Sequence, residues 1–397
     1  MSTSGKFRPG VFALALALVL SFSGCAPASV AEPSATQDAA PTQTQTPPPL
    51  DPLPPPTPSS TPVPATPTPS PTPDPTPTPS PVVYEVTSFL PLDDLHIKYE
   101  IQPGGGTEES YVEYVGKNEH SVQQRVFSQK SSSPSVRVLK CEDGKLLLTY
   151  TKDKVGYTYR YLKNKNGEAE ILLKEPVAEG ESWDVPGGTR TITSVDKILD
   201  LSLGSYRTVE VLTVSDDGSR MYQYYAPDFG LVAQYRYENG VEVSRMEAVS
   251  RETDRGFSQR IVFYFAQPQT ESIRSSVRTV TVKPNASMGS RFMNQLRSVP
   301  GGSGLLALDG VSINSISLDS RGHVHVDFAS SLITTISDIG RASEGLLLTA
   351  LANTFCDYYQ TNRFYITVEG ELYESPYRFL QEGEYLSPDY SNVHPLK

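Results

Sequence analysis

The first folded region of the chain is marked by short runs in which apolar and polar residues alternate. These runs extend from Tyr84 to about Ser250 and have the β-branched and aromatic composition of strands. Asn-Gly and Asp-Gly pairs separate them and tolerate the positive φ angles of type I′ turns. The pairs are Asp143-Gly144, Asn166-Gly167, Asp217-Gly218 and Asn239-Gly240. The pattern predicts an antiparallel, all-β domain over residues 83–255.

The pattern of apolar and polar residues changes near Arg260, where two strand-like runs precede a helical segment. Four apolar residues of that segment recur at helical spacing, namely Met288, Phe292, Leu296 and Val299. Asn285 is the expected N-cap of this helix. The Pro300-Gly301-Gly302 sequence is expected to end it, because proline cannot continue the hydrogen-bond ladder.

A hairpin, a longer helix and a final strand complete this region. The hairpin turns at Ser320-Arg321-Gly322 and has one apolar face, an apolar stripe follows over residues 342–359, and FYITV at 364–368 has strand composition. The predicted fold class is therefore α+β. The antiparallel β-domain is followed by a ββαββαβ domain over residues 256–375, and residues 376–397 form a C-terminal extension.

The first residues have the features of an export signal. Lys6 and Arg8 place positive charge ahead of a short apolar core, Val11 to Leu20. Ten apolar residues cannot span a bilayer, because a spanning helix needs about 20. A cleaved signal peptide over residues 1–24 is the prediction.

The sequence SFSGC at residues 21–25 resembles the lipobox of bacterial lipoprotein precursors. That resemblance implies that Cys25 becomes the N-terminal residue and carries palmitate-type lipid. The chain is then anchored to the extracytoplasmic face of the cell membrane. Ordinary cleavage nearby, after Ala26 or Ala28, is the alternative.

Residues 25–82 are dominated by Pro, Thr, Ser and Ala and end in the near-repeat TPTPSPTPDPTPTPSP. Such a composition holds almost nothing that could form a core, and it predicts a disordered, proline-rich linker. Proline favours polyproline II at about 3.1 Å per residue, so some 50 residues could reach roughly 150 Å. This reach is sufficient to carry the folded part away from the membrane.

Charge and cysteine content narrow the classes of function. The formal net charge of −11 disfavours nucleic acid as a partner, because phosphate backbones require a basic surface. If Cys25 carries lipid, only Cys141 and Cys356 remain, in different predicted domains. We interpret both as unpaired and unreactive thiols.

The C-terminal region resembles the GerMN domain of spore-germination GerM-type lipoproteins over about residues 260–375. The matching segments are Val326-Asp327-Phe328, Ser343-Glu344, Ala352-Asn353-Thr354 and Val368-Glu369-Gly370. The resemblance implies an α+β module of the bacterial envelope linked to sporulation and germination. It implies no catalytic residue, and a single copy departs from the tandem arrangement of GerM.

The sequence offers one weak candidate for a metal site. His323, His325 and Asp327 alternate along one strand, so they share a face and could ligate a divalent ion. The competing interpretation is that Val324, Val326 and Phe328 fill the buried face, which leaves the other three as the solvated face. We expect no metal, no cofactor and no catalytic residue.

The predicted function is that of a non-catalytic envelope lipoprotein, not an enzyme, which docks an envelope protein or peptidoglycan through its GerMN-like domain. Two alternatives remain open. One is a cell-wall hydrolase whose paired acids are recognisable only by geometry. The other is a small-ligand carrier that uses the tyrosines of the β-domain, although such tyrosines also pack against one another across strands.

Overall fold

The computed structural model describes residues 83–396, so the predicted signal peptide, Cys25 and the whole predicted linker lie outside the described part. Strands account for 48% of the described residues and helices for 16%. The fold is mostly β, and the predicted α+β class is wrong. The reason is the large size of the region with alternating apolar and polar residues, which forms a single sheet of twelve strands. The chain has only two α-helices within residues 83–396, of 10 and 29 residues.

Twelve antiparallel strands form one curled, nearly closed sheet in the first part of the structure. The strands are β1 (His96–Gln102), β2 (Gly106–Gly116), β3 (Ser121–Ser128), β4 (Ser135–Glu142), β5 (Lys145–Lys152), β6 (Glu170–Lys174), β7 (Ser182–Val185), β8 (Gly188–Leu201), β9 (Gly204–Ser215), β10 (Arg220–Ala226), β11 (Gly230–Glu238) and β12 (Val241–Glu252). Their order is β6-β5-β4-β3-β2-β1-β12-β11-β10-β9-β8-β7. Hairpins therefore join most neighbours in the sheet, and β1 closes the meander against β12. Three of the four turn dipeptides lie in such hairpins, whereas Asn166-Gly167 lies in the long loop between β5 and β6.

Side chains bridge the two ends of this sheet, at a place that we call the seam. The indole Nε1 of Trp183 on β7 donates to the carbonyl of Ile171 on β6 at 3.1 Å. Arg190 on β8 donates to the same carbonyl at 2.6 Å and pairs with the Glu170 carboxylate at 2.5 Å. The backbone ladder ends at β6 and β7, so these side-chain bonds hold the curled sheet together there.

Two smaller sheets and two α-helices make up the C-terminal part. The first sheet has the order β13 (Phe257–Gln267), β14 (Ser272–Val282), β19 (Val393–Pro395). The second has the order β15 (Ile313–Leu318), β16 (Val324–Phe328), β17 (Phe364–Val368), β18 (Glu371–Leu372). The helices are α1 (Met288–Arg297) and α2 (Ser331–Tyr359).

The predicted ββαββαβ pattern is wrong, because the chain adds two strands after β17 and divides its strands between two sheets. Strands β18 and β19 hold only two and three residues, which is too short to show an alternating pattern. The pairing of β19 with β14 is also parallel and connects residues far apart in sequence, such as Ile273 and Val393. Local periodicity cannot predict that the end of the chain pairs with a strand so distant in sequence.

Helix α1 is capped by Ser287, whereas the sequence suggested Asn285. The hydroxyl of Ser287 accepts the N–H of Ser290 at 3.3 Å. Asn285 has a left-handed φ of 56°, and its side-chain oxygen accepts the N–H of Val115 on β2 at 2.9 Å. The side-chain amide of Asn285, which was expected to cap the helix, therefore binds the large sheet instead.

Helix α2 is interrupted at Gly340, whose φ of 79° and ψ of 168° are not helical. Glycine is permitted there because it lacks a Cβ atom. The helix after the break corresponds to the predicted stripe over residues 342–359, and the turns before it were not predicted. Both parts bury apolar side chains, for example Ile336 and Leu351. Within residues 83–396, no helix combines the length and the apolarity needed to cross a membrane.

Hydrogen bonds and a shared core join the large sheet to the C-terminal part. The hydroxyl of Tyr358 on α2 accepts the N–H of Thr158 at 2.8 Å and donates to Gln259 on β13, also at 2.8 Å. The rings of Tyr111 and Phe257 pack 5.6 Å apart. The described residues, 83–396, belong to one compact unit. Independent folding of residues 83–255 and 256–375 stays a prediction.

A buried ion pair fixes the loop between β5 and β6 at this junction. Arg125 and Glu113 have no exposed side-chain surface, and their Nη2 and Oε1 atoms are 2.9 Å apart. The guanidinium also donates to the carbonyls of Val155 and Tyr157, both at 2.7 Å. These bonds satisfy the buried charge and hold the loop in place.

Candidate functional site

One face of the four-stranded sheet is open to solvent. Val324, Val326 and Phe328 fill its opposite face and are fully buried. Because side chains alternate along a strand and directly paired residues share a face, the remaining positions point outward. These positions, which we call the open face, are Ser315, Ser317, His325, Asp327, Tyr365, Thr367 and Leu372.

Asp319 lies in the turn before β16, where it is hydrogen-bonded to His323 and lies near His325. Its Oδ2 is 2.9 Å from His323 Nδ1 and 3.8 Å from His325 Nε2. Its Oδ1 accepts the backbone N–H groups of Arg321 and His323 at 2.8 and 2.9 Å. Partial burial favours a raised pKa for Asp319, but these hydrogen bonds from His323 and Arg321 outweigh it and lower the pKa to about 2. The carboxylate therefore stabilises the turn as an anion.

Asp327 has a separate structural role at the other end of β16. Its Oδ1 accepts the hydroxyl of Thr367 at 2.7 Å and the N–H of Gly370 at 2.8 Å. Its Oδ2 accepts the amide of Asn314 at 3.0 Å. Partial burial opposes ionisation, but these donors hold the pKa of Asp327 below its usual range. Asp327 thus ties β15, β16 and the turn after β17 together.

The metal candidates of the sequence do not converge on one point. His323 and His325 lie near Asp319, whereas the oxygens of Asp327 already accept hydrogen bonds from three other groups. In the described part of the chain, no three His, Cys, Asp or Glu side chains are grouped so that they could hold a metal ion.

Aromatic rings occupy one part of the open face. The ring of His325 stacks on Tyr365, with centroids 4.3 Å apart and an angle of 6° between the planes. Tyr385 lies 5.7 Å from Tyr365, and the guanidinium of Arg363 lies 4.4 Å from the centre of the Tyr385 ring. Leu372 at the sheet edge is 50% exposed. Tyrosine and arginine around exposed apolar surface are typical of protein interfaces.

This aromatic group is not apparent from the sequence alone. The alternating pattern of FYITV predicts that Tyr365 points away from the core, because its neighbours Phe364 and Ile366 are buried and successive side chains of a strand point to opposite faces. No local pattern places Tyr385 beside it, since Tyr385 reaches the sheet through a bridge between Leu386 and Phe364.

The polar residues that carry the family resemblance act as structural anchors. The buried carboxylate of Glu344 accepts the hydroxyls of Tyr373 and Ser375 at 2.7 and 2.5 Å. The buried amide of Asn353 donates to the carbonyl of Asp389 and accepts its N–H, both at 2.7 Å. Both side chains fasten the C-terminal segment to α2. The hydrogen-bond partners of these two side chains are other residues of the same chain, so the bonds stabilise the fold.

The two cysteines within the described residues are buried and not bonded to each other. Burial raises the pKa of Cys141 and of Cys356 to about 12. A thiol that stays protonated is a poor nucleophile and a poor metal ligand.

Comparison with protein families identifies the C-terminal part. Residues 262–374 match the Germane family, which is described as sporulation and spore germination. The match confirms that this part of the chain is a GerMN domain, as the resemblance predicted. No curated protein matches the chain.

Three solved structures are similar to parts of the chain. A protein described as exported, with a YmcC-like fold, from Bacteroides fragilis is 13% identical with a TM-score of 0.29; the match covers 41% of this chain and 97% of that one. A protein described as a lipoprotein from Parabacteroides distasonis is 14% identical with a TM-score of 0.27, covering 41% and 98%. The tandem GerMN domains of the sporulation protein GerM from Bacillus subtilis are 14% identical with a TM-score of 0.26, covering 33% and 46%.

Proposed function

We propose that this chain, whose C-terminal part is a GerMN domain, is a non-catalytic lipoprotein of the cell envelope that docks a protein partner. In this proposal Cys25 carries the lipid, residues 25–82 are an extended linker on the extracytoplasmic side, and the open face makes the contact. The description of the Germane family supports a link to sporulation or germination.

The open face is the observation that carries the docking role. It combines the stacked rings of His325 and Tyr365 with the exposed side chain of Leu372, and Tyr385 and Arg363 lie beside them. The strands beneath are fixed by buried apolar residues and by the bonds of Asp327, so these side chains are held in place before binding. A pre-ordered surface loses less entropy on association.

Photo-cross-linking in the host tests the docking role. A photoreactive benzoyl-phenylalanine at Tyr365 should form an adduct with one envelope protein, which mass spectrometry then identifies. The matched control places the same residue at Ile198, which is 55% exposed on β8 of the large sheet. The control should give no adduct of that mass. Identical adducts from both positions, or none from Tyr365, would contradict docking through the open face.

The hydrolase alternative is tested separately. Purified protein should release no muropeptides from peptidoglycan above the level of a buffer control. Release that is lost on changing one buried acid, such as Glu344→Gln, while the chain stays folded would establish catalysis and overturn the proposal.

A further inference from the structure

The large sheet contains a tyrosine-lined cavity that the docking role does not use. The cavity has a volume of about 360 Å³ and is lined by Arg220, Tyr222, Tyr224, Tyr237 and Gly240. Small-molecule sites in proteins commonly have about 300–1,000 Å³. The cavity is therefore large enough for a ligand of the size of one or two sugar rings.

The strand register explains why these side chains meet. Arg220, Tyr222 and Tyr224 alternate along β10 and so point to the same face. Tyr237 on β11 pairs directly with Arg220 and points to that face too. Gly240 lies in the turn between β11 and β12, where its φ of 78° follows the left-handed Asn239.

The rings are held by their neighbours. Tyr222 and Tyr237 pack edge to face with centroids 5.6 Å apart. The hydroxyl of Tyr237 donates to Glu242 at 2.9 Å, and this bond raises the pKa of Tyr237. Burial, with the nearby charge of Glu210, raises the pKa of Tyr224 as well. Both phenols stay neutral, so the cavity wall offers ring faces and uncharged hydroxyl groups.

Arg220 brings a positive charge that other described residues do not neutralise. It is exposed, and in residues 83–396 no carboxylate lies within 4.0 Å of its guanidinium. Two arginines, on β11 and β12, differ in this respect, because Arg236 pairs with Glu238 and Arg245 pairs with Glu242. A guanidinium beside a cavity is suited to bidentate binding of a carboxylate.

We propose that this cavity binds a saccharide ring that carries a carboxylate. The tyrosine rings contact the apolar C–H face of the sugar, the phenol oxygens bond its hydroxyl groups, and Arg220 pairs with the carboxylate. An aliphatic ligand or a neutral sugar would leave the guanidinium of Arg220 without a counter-charge. The site lies on the large sheet and is independent of the open face.

Di-galacturonic acid is the probe, and its fully methyl-esterified form is the matched neutral probe with the same sugar rings. Binding to the full chain in detergent micelles is measured by isothermal titration calorimetry. The acid should bind at least tenfold more tightly than the ester. Arg220→Gln should weaken binding of the acid at least tenfold and leave binding of the ester unchanged. Arg236→Gln should change neither, because Arg236 does not line the cavity.

The contribution of the tyrosine ring is tested with two variants. Tyr222→Leu removes the flat aromatic surface and should weaken both probes, whereas Tyr222→Phe keeps the ring and should retain most of the affinity. Equal urea-unfolding midpoints establish that the variants are folded. Absence of binding, equal binding of acid and ester, binding of acetate as tight as that of the acid, or insensitivity to Arg220→Gln would each overturn the proposal.

Discussion

The guanidinium of Arg125 and the carboxylate of Glu113 form an ion pair without exposed side-chain surface, on adjacent strands of the large sheet. Their bonds to other groups extend the pair into a network. Gln123 donates to the second oxygen of Glu113 at 2.7 Å and accepts the N–H of Tyr161 at 2.6 Å. The loop between β5 and β6 thus depends on charges that have no access to water.

Glu113→Gln should strongly destabilise the chain, because it leaves the charge of Arg125 buried without its counter-charge. Loss of one partner of a buried pair costs about 3–5 kcal/mol. The free energy of unfolding by urea measures the effect. Glu238→Gln is the matched control, since its pair with Arg236 is nearly half exposed, and it should cost less than about 1 kcal/mol. Similar losses in both variants would contradict this account.

Tyr358→Phe should weaken the junction between the large sheet and the GerMN domain. The change removes the acceptor of the Thr158 N–H, and an unsatisfied buried donor costs about 1–3 kcal/mol. Hydrogen exchange of the Thr158 amide should become at least tenfold faster. Tyr390→Phe, at a tyrosine that is 47% exposed, is the control and should leave that exchange rate unchanged. An unaltered Thr158 amide in Tyr358→Phe would show that the bond does not protect it.

Asp319→Asn should alter how stability depends on pH. The pKa of Asp319 in the folded chain is about 2, below the value of about 3.9 for an unfolded Asp. Its carboxylate therefore stabilises the fold above about pH 4, and this contribution is lost as the pH falls towards 2. The variant should be less stable at pH 7 and should lose less stability than the native chain between about pH 4 and pH 2.

Urea unfolding at several pH values measures this difference. Asp196→Asn on β8 is a suitable control, because Asp196 is exposed. This control should change the free energy of unfolding at pH 7 by less than about 0.5 kcal/mol. If the stability of Asp319→Asn fell between about pH 4 and pH 2 as much as that of the native chain, the hydrogen bonds of the turn would not favour the ionised form of Asp319.

Cys25→Ser should release the chain from the membrane fraction of the host or leave it as unprocessed precursor. The reason is that stable membrane attachment by lipid needs acyl chains, which serine at this position would not receive. Cell fractionation and the mass of the N-terminal peptide measure the outcome. Cys141→Ser should stay with the membrane. A Cys25→Ser chain that is processed normally and still sediments with membranes would exclude lipidation of Cys25.

Three hairpins of the large sheet could be predicted, because each combines local alternation with a turn dipeptide: Asp143-Gly144, Asp217-Gly218 and Asn239-Gly240. The hairpin at Asn239-Gly240 is one example, since both residues adopt positive φ angles there. The closure of the sheet could not be predicted in this way. It depends on Trp183 and Arg190 reaching β6, and no periodicity links those positions.

The candidate site shows the same limit. Alternation along β16 correctly separated Val324 and Val326 from His325, but it could not distinguish a free surface group from an anchored one. Asp327 was expected as part of a solvated face, and it accepts three hydrogen bonds because a distant turn at Gly370 returns to it. Hydrogen bonds between residues so far apart in sequence can be identified only from the three-dimensional structure.

The seam gives the chain a built-in optical reporter. Trp183 is the single tryptophan of the sequence, it is only 7% exposed, and its indole bonds across the gap between β6 and β7. Parting of those strands would transfer the indole to water and shift its fluorescence emission to longer wavelength. Because the GerMN domain has no tryptophan, the emission spectrum follows the opening of the large sheet alone, without any label attached to the protein.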